Sequence, residues 1–374
     1  MKSIKTAFAL SVIAGGAAWS GVSMADDNGG HGVFVMTNNA DSNQVIAFER
    51  SPSGTLENQR SYATDGRGSG GTVDPLASQG SLTLSTDRAW LFAVNAGSGS
   101  VSVFRVNGAK LELTDRVATQ GSEPNSVAQH GSLVYVLNTA GSSSVVGFTF
   151  DNGKLVRIPN SLRFLSANAV ASGSVAFSPD GRFLIVTEKA TNNLDVFSVL
   201  SDGTLSPITV TPSVGPGAFS ASFTRNDVAL VSETGPGAPN ESAISSYAVH
   251  SDGTLTPIST SVPTLGSANC WNVLTPDGRF VYVSNSGSGT IAGFAIGNGG
   301  TLTALPGTVL ASNPAGSANI DVTVSADGKF LYTLNAHTGA VGMFAVQTNN
   351  GALTGLGTAG GLPAAAGLNG IAAN

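Results

Sequence analysis

Asn269-Cys-Trp-Asn-Val-Leu-Thr-Pro-Asp-Gly-Arg-Phe-Val-Tyr-Val-Ser-Asn-Ser-Gly-Ser-Gly-Thr-Ile-Ala-Gly-Phe-Ala-Ile296, followed by Gly297-Asn-Gly-Gly-Thr-Leu-Thr-Ala-Leu305, decides how the rest of the chain is read. Trp271–Leu274 is a short apolar run, and Pro276-Asp277-Gly278 is a tight-turn signal. Phe280–Val283 is apolar at consecutive positions and rich in aromatic and β-branched residues, as a strand covered on both faces must be. Asn285–Gly289 turns the chain again, and Ile291–Ile296 and Thr301–Leu305 complete four antiparallel strands with a Gly-rich hairpin between the last two. A four-stranded unit with two apolar faces cannot hide both by itself. It has to stack on copies of itself.

The copies are in the chain. The polar residue ending each second strand falls at Asn38, Asn95, Asn138, Glu188, Glu233, Asn285 and Asn335, at spacings of 57, 43, 50, 45, 52 and 50 residues. The hairpin between third and fourth strands recurs as Ser53-Gly-Thr-Leu, Asn152-Gly-Lys-Leu, Asp202-Gly-Thr-Leu, Asp252-Gly-Thr-Leu, Gly300-Thr-Leu and Asn350-Gly-Ala-Leu. This period and strand count predict an all-β fold, a seven-bladed β-propeller of four-stranded antiparallel blades. Gly367–Asn374 reads as a first strand without a second, and Val33–Asn38 as a second strand without a first. Joining them closes the ring: the C-terminal strand completes the N-terminal blade.

Residues 1–25 read as a secretory signal, with Lys2 and Lys5 at the start, a mostly apolar or small run Ala7–Trp19, and the small-x-small site Ser23-Met-Ala25. The run is too short to span a bilayer, and no other stretch is long enough. The expected organisation is a signal cleaved near Ala25 and a propeller over residues 26–374, periplasmic or secreted and monomeric. Removing the two lysines leaves 15 basic against 23 acidic residues, a net charge of −8. That balance argues against nucleic acid and anionic membranes as partners. Cys270 is the only cysteine, so no internal disulfide is available.

Topology sorts the loops onto two faces. First-to-second turns and third-to-fourth hairpins share one face. Blade-to-blade crossovers and second-to-third turns share the other, around the channel mouth, where long loops on a rigid scaffold place function. The longest irregular stretch is Asp65–Gly80. Glu188 and Glu233 replace asparagine in consecutive blades and are the expected catalytic carboxylates. Arg67, Asn125, Lys189, Asn269, Trp271, Asn319, Asp321 and His337 are the expected substrate-binding residues at that mouth. The histidines are far apart in sequence, so no histidine metal site and no cofactor are expected, while calcium on oxygen ligands in the channel stays open. Two Gly-x-Gly-x-x-Gly matches, at Gly66 and Gly355, lack a strand–loop–helix setting and read as chance.

Ser178-Pro-Asp-Gly-Arg-Phe-Leu-Ile-Val-Thr-Glu188 and Thr275-Pro-Asp-Gly-Arg-Phe-Val-Tyr-Val-Ser-Asn285 resemble the repeat of the seven-bladed lactonase-type propellers. That group includes 6-phosphogluconolactonase, 3-carboxymuconate cyclase and the Tyr-Val-Thr-Asn repeat proteins. The resemblance implies lactone chemistry at the channel mouth, and Glu188, in Val186-Thr-Glu-Lys-Ala190, matches the family's glutamate-bearing turn loosely. Two functions are carried forward. One is an exported enzyme that hydrolyses or forms a lactone or ester bond, with a glutamate as general base and a cation or amide at the carbonyl oxygen. The alternative is a non-catalytic propeller binding a protein or cell-envelope ligand.

Overall fold

The computed structural model describes residues 30–374, so the export signal expected over residues 1–25 lies outside the described residues. Seven antiparallel sheets follow one another along the chain. Blade 1 orders Asn369–Ala373, His31–Met36, Gln44–Arg50 and Leu56–Ala63 from the axis outwards. Blade 2 is Leu82–Leu84, Trp90–Asn95, Ser100–Asn107 and Lys110–Ala118. Blade 3 is Ser122–His130, Leu133–Ala140, Ser144–Asp151 and an outer strand broken into Lys154–Arg157 and Arg163–Phe164. Blade 4 is Ser172–Phe177, Phe183–Glu188, Asn193–Ser198 and Thr209–Pro212, and blade 5 is Ala218–Phe223, Val228–Glu233, Ala243–Val249 and Leu255–Pro263. Asn269–Leu274, Phe280–Asn285, Thr290–Ile296 and Leu302–Ser312 make blade 6, and Asn319–Val324, Phe330–Asn335, Ala340–Val346 and Leu353–Ala359 make blade 7.

The ring closes through its ends as the strand count required. Val33, Phe34 and Val35 pair with Ala373, Ala372 and Ile371. Second strands are buried along their whole length in blades 4 to 7, because each is covered by sheet neighbours and by both adjoining blades. Outer strands such as Leu56–Ala63 are exposed along most of theirs. Apolar clusters span neighbouring blades, one joining blades 6, 7 and 1 through Trp271, Tyr282, Tyr332 and Ile371. Tyrosines also tie three of the blades to the next blade's hairpin: the hydroxyls of Tyr135, Tyr282 and Tyr332 donate to the carbonyls of Gly203, Gly351 and Gly54 at 2.7, 2.9 and 2.9 Å. The last of these crosses the closure between blades 7 and 1.

First-to-second turns share one design. In Thr275-Pro-Asp-Gly278 the Gly278 N–H donates to the Thr275 carbonyl at 2.8 Å, and Asp277 accepts from the Thr275 hydroxyl at 2.6 Å. Gly181, Gly278 and Gly328 each close such a turn at φ near 70°, a conformation that favours glycine. In blade 2 the same place, in Ser85-Thr-Asp-Arg88, is taken by Arg88 at φ 59°.

Candidate active site in the channel

The axis is lined by the first strands, and the register against the second strand breaks once in most of them. The breaks leave Asn125, Gly173, Phe219, Cys270, Asp321 and Gly370 outside the ladder. A β-bulge of this kind re-aims the extra residue and increases local twist. The ladder thus sets a collar of bulge residues around the axis.

Residues 70–80 close the channel above that collar, on the crossover face. The Gly367 N–H donates to the Thr72 carbonyl at 2.8 Å, and Asn369 donates to the Asp74 carboxylate at 3.0 Å. The Trp271 indole donates to the Ser78 carbonyl at 2.8 Å, and the Ser78 hydroxyl donates to the Asn125 carbonyl at 2.7 Å. Gln79 reaches across the axis: its N–H donates to Gly173 at 2.9 Å and its side-chain carbonyl accepts from the Asn272 N–H at 2.9 Å. One loop therefore bonds to blades 1, 3, 4 and 6. The mouth expected on this face is filled by the chain itself.

The space lies on the other side of the loop. A cavity of about 370 Å³ is lined by Gln79, Thr83, Arg88, Asn272, Asp321 and Thr323, among others. A second of about 420 Å³ shares Gln79, Gly80, Thr83 and Thr86 with it and adds Gln129, His130, Ser174 and Ser222. Their lining runs from Gln79 to Ser85, Thr86, Ser178 and Pro179, in the first-to-second turns. The walls mix hydroxyl and amide groups with aliphatic residues such as Leu82, Leu84, Val273 and Ile371, and the second cavity adds Phe177 and Phe223. Asp321 and Arg88 are the ionisable residues in the lining of the first cavity.

Burial pushes the Asp321 carboxyl up to about 7, against two N–H donors that favour its charge, those of Val322 at 2.8 Å and Ile371 at 3.1 Å. Burial likewise raises Asp74 in the covering loop to about 7, with the Asn369 amide opposing, the Asp321 charge adding and Lys189 opposing. Burial lowers Arg88, whose guanidinium donates to the Ala373 carbonyl at 3.3 Å. Burial also drives the Cys270 thiol far up, which keeps it protonated and unreactive.

The sequence-derived residues separate into three groups. Asp321 alone among them lines the open cavity. Asn125, Asn269, Trp271 and Asn319 are fully buried and bond neighbouring segments, with Asn125, Asn269 and Asn319 donating to the carbonyls of Ser172, Ala243 and Thr290 in the adjacent blades. Arg67, Lys189 and His337 are exposed on the crossover face, with the Lys189 ammonium 5.7 Å from the centre of the Phe219 ring.

Glu188 and Glu233 do not look into a mouth; both are fully buried at the foot of an incoming crossover. Glu233 accepts from the Gly215 N–H at 3.1 Å and from the hydroxyls of Ser245 and Ser261 at 2.5 and 2.9 Å. Glu188 accepts from the Ser166 N–H at 3.0 Å and from the hydroxyls of Ser166 and Thr191, both at 2.5 Å. Asparagine does related work in other blades. Asn95 accepts from Asn43 at 3.0 Å and Thr64 at 2.7 Å, and Asn38 holds Ser69, just ahead of the covering loop. The crossover passes so close that a Cβ on Gly66, Gly121, Gly215 or Gly266 would stand 2.0–2.3 Å from the slot side chain. Burial dominates over the donors at Glu233 and raises it, whereas at Glu188 the donors outweigh burial and lower it.

Sequence reasoning missed Arg88. The signal was present: an arginine where Ser178-Pro-Asp-Gly181 and Thr275-Pro-Asp-Gly278 have glycine. A non-glycine residue held at positive φ costs on the order of 1 kcal/mol; Asp227 takes the same place in blade 5 at φ 58°, so what distinguishes Arg88 is its position in the cavity lining.

Two stretches, residues 31–172 and 241–366, match the family described as lactonase, seven-bladed beta-propeller. The chain belongs to that family. No curated protein matches the sequence. Among solved structures, the periplasmic gluconolactonase PpgL of Pseudomonas aeruginosa is 18% identical at a TM-score of 0.68, covering 92% of this chain and 98% of its own. A Lactobacillus plantarum protein aligns with the same identity and TM-score over 91% of this chain and 99% of its own. A Bacteroides fragilis structure named as a candidate 6-phosphogluconolactonase aligns at a TM-score of 0.63 and 18% identity, over 92% and 98%. At this identity the likeness establishes the fold. Among the described residues no helix is long and apolar enough to cross a membrane.

Proposed function

We propose that this chain is an exported hydrolase of small lactones that works in the open half of its channel. The observation that carries the reading is one wall. Asp321, a carboxyl raised to about 7, and Arg88, a guanidinium held at a glycine position, line the same cavity of about 370 Å³. Ligand sites of ~300–1,000 Å³ suit small molecules, and a wall of hydroxyls and amides set among aliphatic residues suits a small ring carrying hydroxyls. Family membership supports the substrate class.

The chemistry balances with these two groups. Ionised Asp321 takes a proton from water as the oxygen adds to the lactone carbonyl. Arg88 N–H groups stabilise the oxyanion. When the ring C–O bond breaks, the departing alkoxide recovers the proton from Asp321, giving the hydroxy acid. A positioned base of this kind contributes roughly 10²–10⁴-fold. Glu188 and Glu233, expected as bases from the sequence, hold crossovers in this reading and act on stability.

A panel of sugar and alkyl lactones, with simple esters as controls, tests the proposal on the mature protein. Turnover of at least one lactone is expected, falling about 100-fold or more in Asp321→Asn and in Arg88→Gln. If no lactone or ester turns over, the ring is a binding module for an envelope or protein ligand.

A further inference from the structure

The cavity of about 420 Å³ adjoins the one lined by Asp321 and Arg88 along Gln79, Gly80, Thr83 and Thr86. The first cavity takes its walls from blades 1, 2, 6 and 7, the second mainly from blades 3, 4 and 5. Their chemistry differs. The residue just ahead of the first-to-second turn is Leu84, Leu274 or Val324 in blades 2, 6 and 7, around the first cavity. In blades 4 and 5 that place is taken by Phe177 and Phe223, both half-buried and both in the lining of the second. Val127, Val175, Pro179 and Ala221 extend this apolar wall. Most polar side chains beside it are already bonded within the protein. The Gln129 side-chain carbonyl accepts from the Thr86 N–H at 2.9 Å, and its amide donates to the Gly131 carbonyl at 2.6 Å. Ser174 accepts from the Ala221 N–H at 2.9 Å, Ser178 donates to Asp180 at 2.7 Å, and Ser222 donates to the Asn272 side chain. Among the described residues no aspartate, glutamate, lysine or arginine lines this cavity. A ligand entering it meets aromatic and aliphatic surface and gains by covering it.

We propose that the substrate carries a hydrocarbon arm, alkyl or aryl, that lies in the second cavity while its lactone ring sits beside Asp321 and Arg88 in the first. The lactone ring rests on the function proposed for the channel; the arm rests on the second cavity. The same walls disfavour a phosphorylated sugar lactone. Among the described residues the two linings hold one guanidinium, Arg88, which the carbonyl oxygen occupies during hydrolysis. A phosphate dianion would find no second cation and would share its space with the Asp321 carboxylate.

Steady-state kinetics of the mature protein on δ-valerolactone, and on derivatives with alkyl tails from methyl to hexyl on the carbon beside the ring oxygen, provide the test. The value of kcat/KM is expected to rise roughly two- to fourfold per methylene over the first few carbons and to level off as the cavity fills. Phe177→Ser or Phe223→Ser should lower the ratio of pentyl to unsubstituted lactone about tenfold. The wild-type series carries the test if neither variant folds. A flat series on a protein that turns lactones over overturns the arm and leaves the hydrolase standing, and so does faster turnover of a phosphorylated sugar lactone. An unchanged ratio in a folded serine variant also overturns it. If no lactone is hydrolysed, calorimetric titration with the matching δ-lactams, which carry N–H in place of the ring oxygen and resist hydrolysis, separates the two claims. A Kd that falls with tail length keeps the arm site and sinks the hydrolase. A Kd indifferent to the tail, or no binding, sinks both.

Discussion

At the residue scale, Glu188 and Glu233 show how a substitution pattern marks a position without saying what the side chain does there. Glutamate in an asparagine position suggests chemistry, because its longer side chain cannot serve the local turn as asparagine does. The slot, however, serves more than the local turn, which Glu188 meets only through Thr191 and Asn193. It receives a crossover, and Glu233 takes the Gly215 N–H together with two serine hydroxyls. Glu233→Ala should therefore lower stability by about 2–3 kcal/mol in urea denaturation, since it leaves buried donors unsatisfied. An unchanged midpoint would contradict that role. Arg88 was the legible residue of the pair that lines the cavity, once the four turns are laid over one another. Asp321 was legible only as a polar residue in a crossover; its place in the cavity lining goes with a bulge between Ile320 and Val322 that no local signal marks.

At the element scale, the deciding piece is the loop of residues 70–80. Its repeat-free sequence says that it is long and nothing about its path. The path is set by partners remote in the chain, above all Trp271 and Asn272 in blade 6. For that reason the covering of the channel on the crossover face was not legible in the sequence, while the turns and hairpins, fixed by local chemistry, were read correctly. The loop also carries a pH prediction. Burial raises Asp74 to about 7 from an ordinary value of 3.8. The folded state thus holds a proton that the unfolded chain has released, so this contribution is full below about pH 4 and is lost as pH rises through about 7. Asp74→Asn should flatten the fall in stability between those limits, measured by denaturant melts across pH. A slope identical to wild type would show that Asp74 ionises freely.

At the scale of the whole molecule, the ring was readable because seven copies share one period and the unmatched strands at the two ends complement each other. Closure rests on Leu368 and Ile371, 0% and 4% exposed, and on four paired positions from Val33 to Met36. Burying a leucine or isoleucine contributes about 1.5–3 kcal/mol, and an opened edge also uncovers the faces of blades 7 and 2. Removing residues 367–374 should thus cost several kcal/mol and promote aggregation, and an unaltered melting temperature would refute the closure. The channel inside that ring is the functional claim, and its most direct test is the pH dependence of kcat/KM for the best lactone substrate. With Asp321 as base, the rate should be low near pH 5, rise through about 7 and level off above it, and the Asp321→Asn variant should lose both the rate and the rise. A flat profile from about pH 5 to 9, or a fully active Asp321→Asn variant, would contradict it.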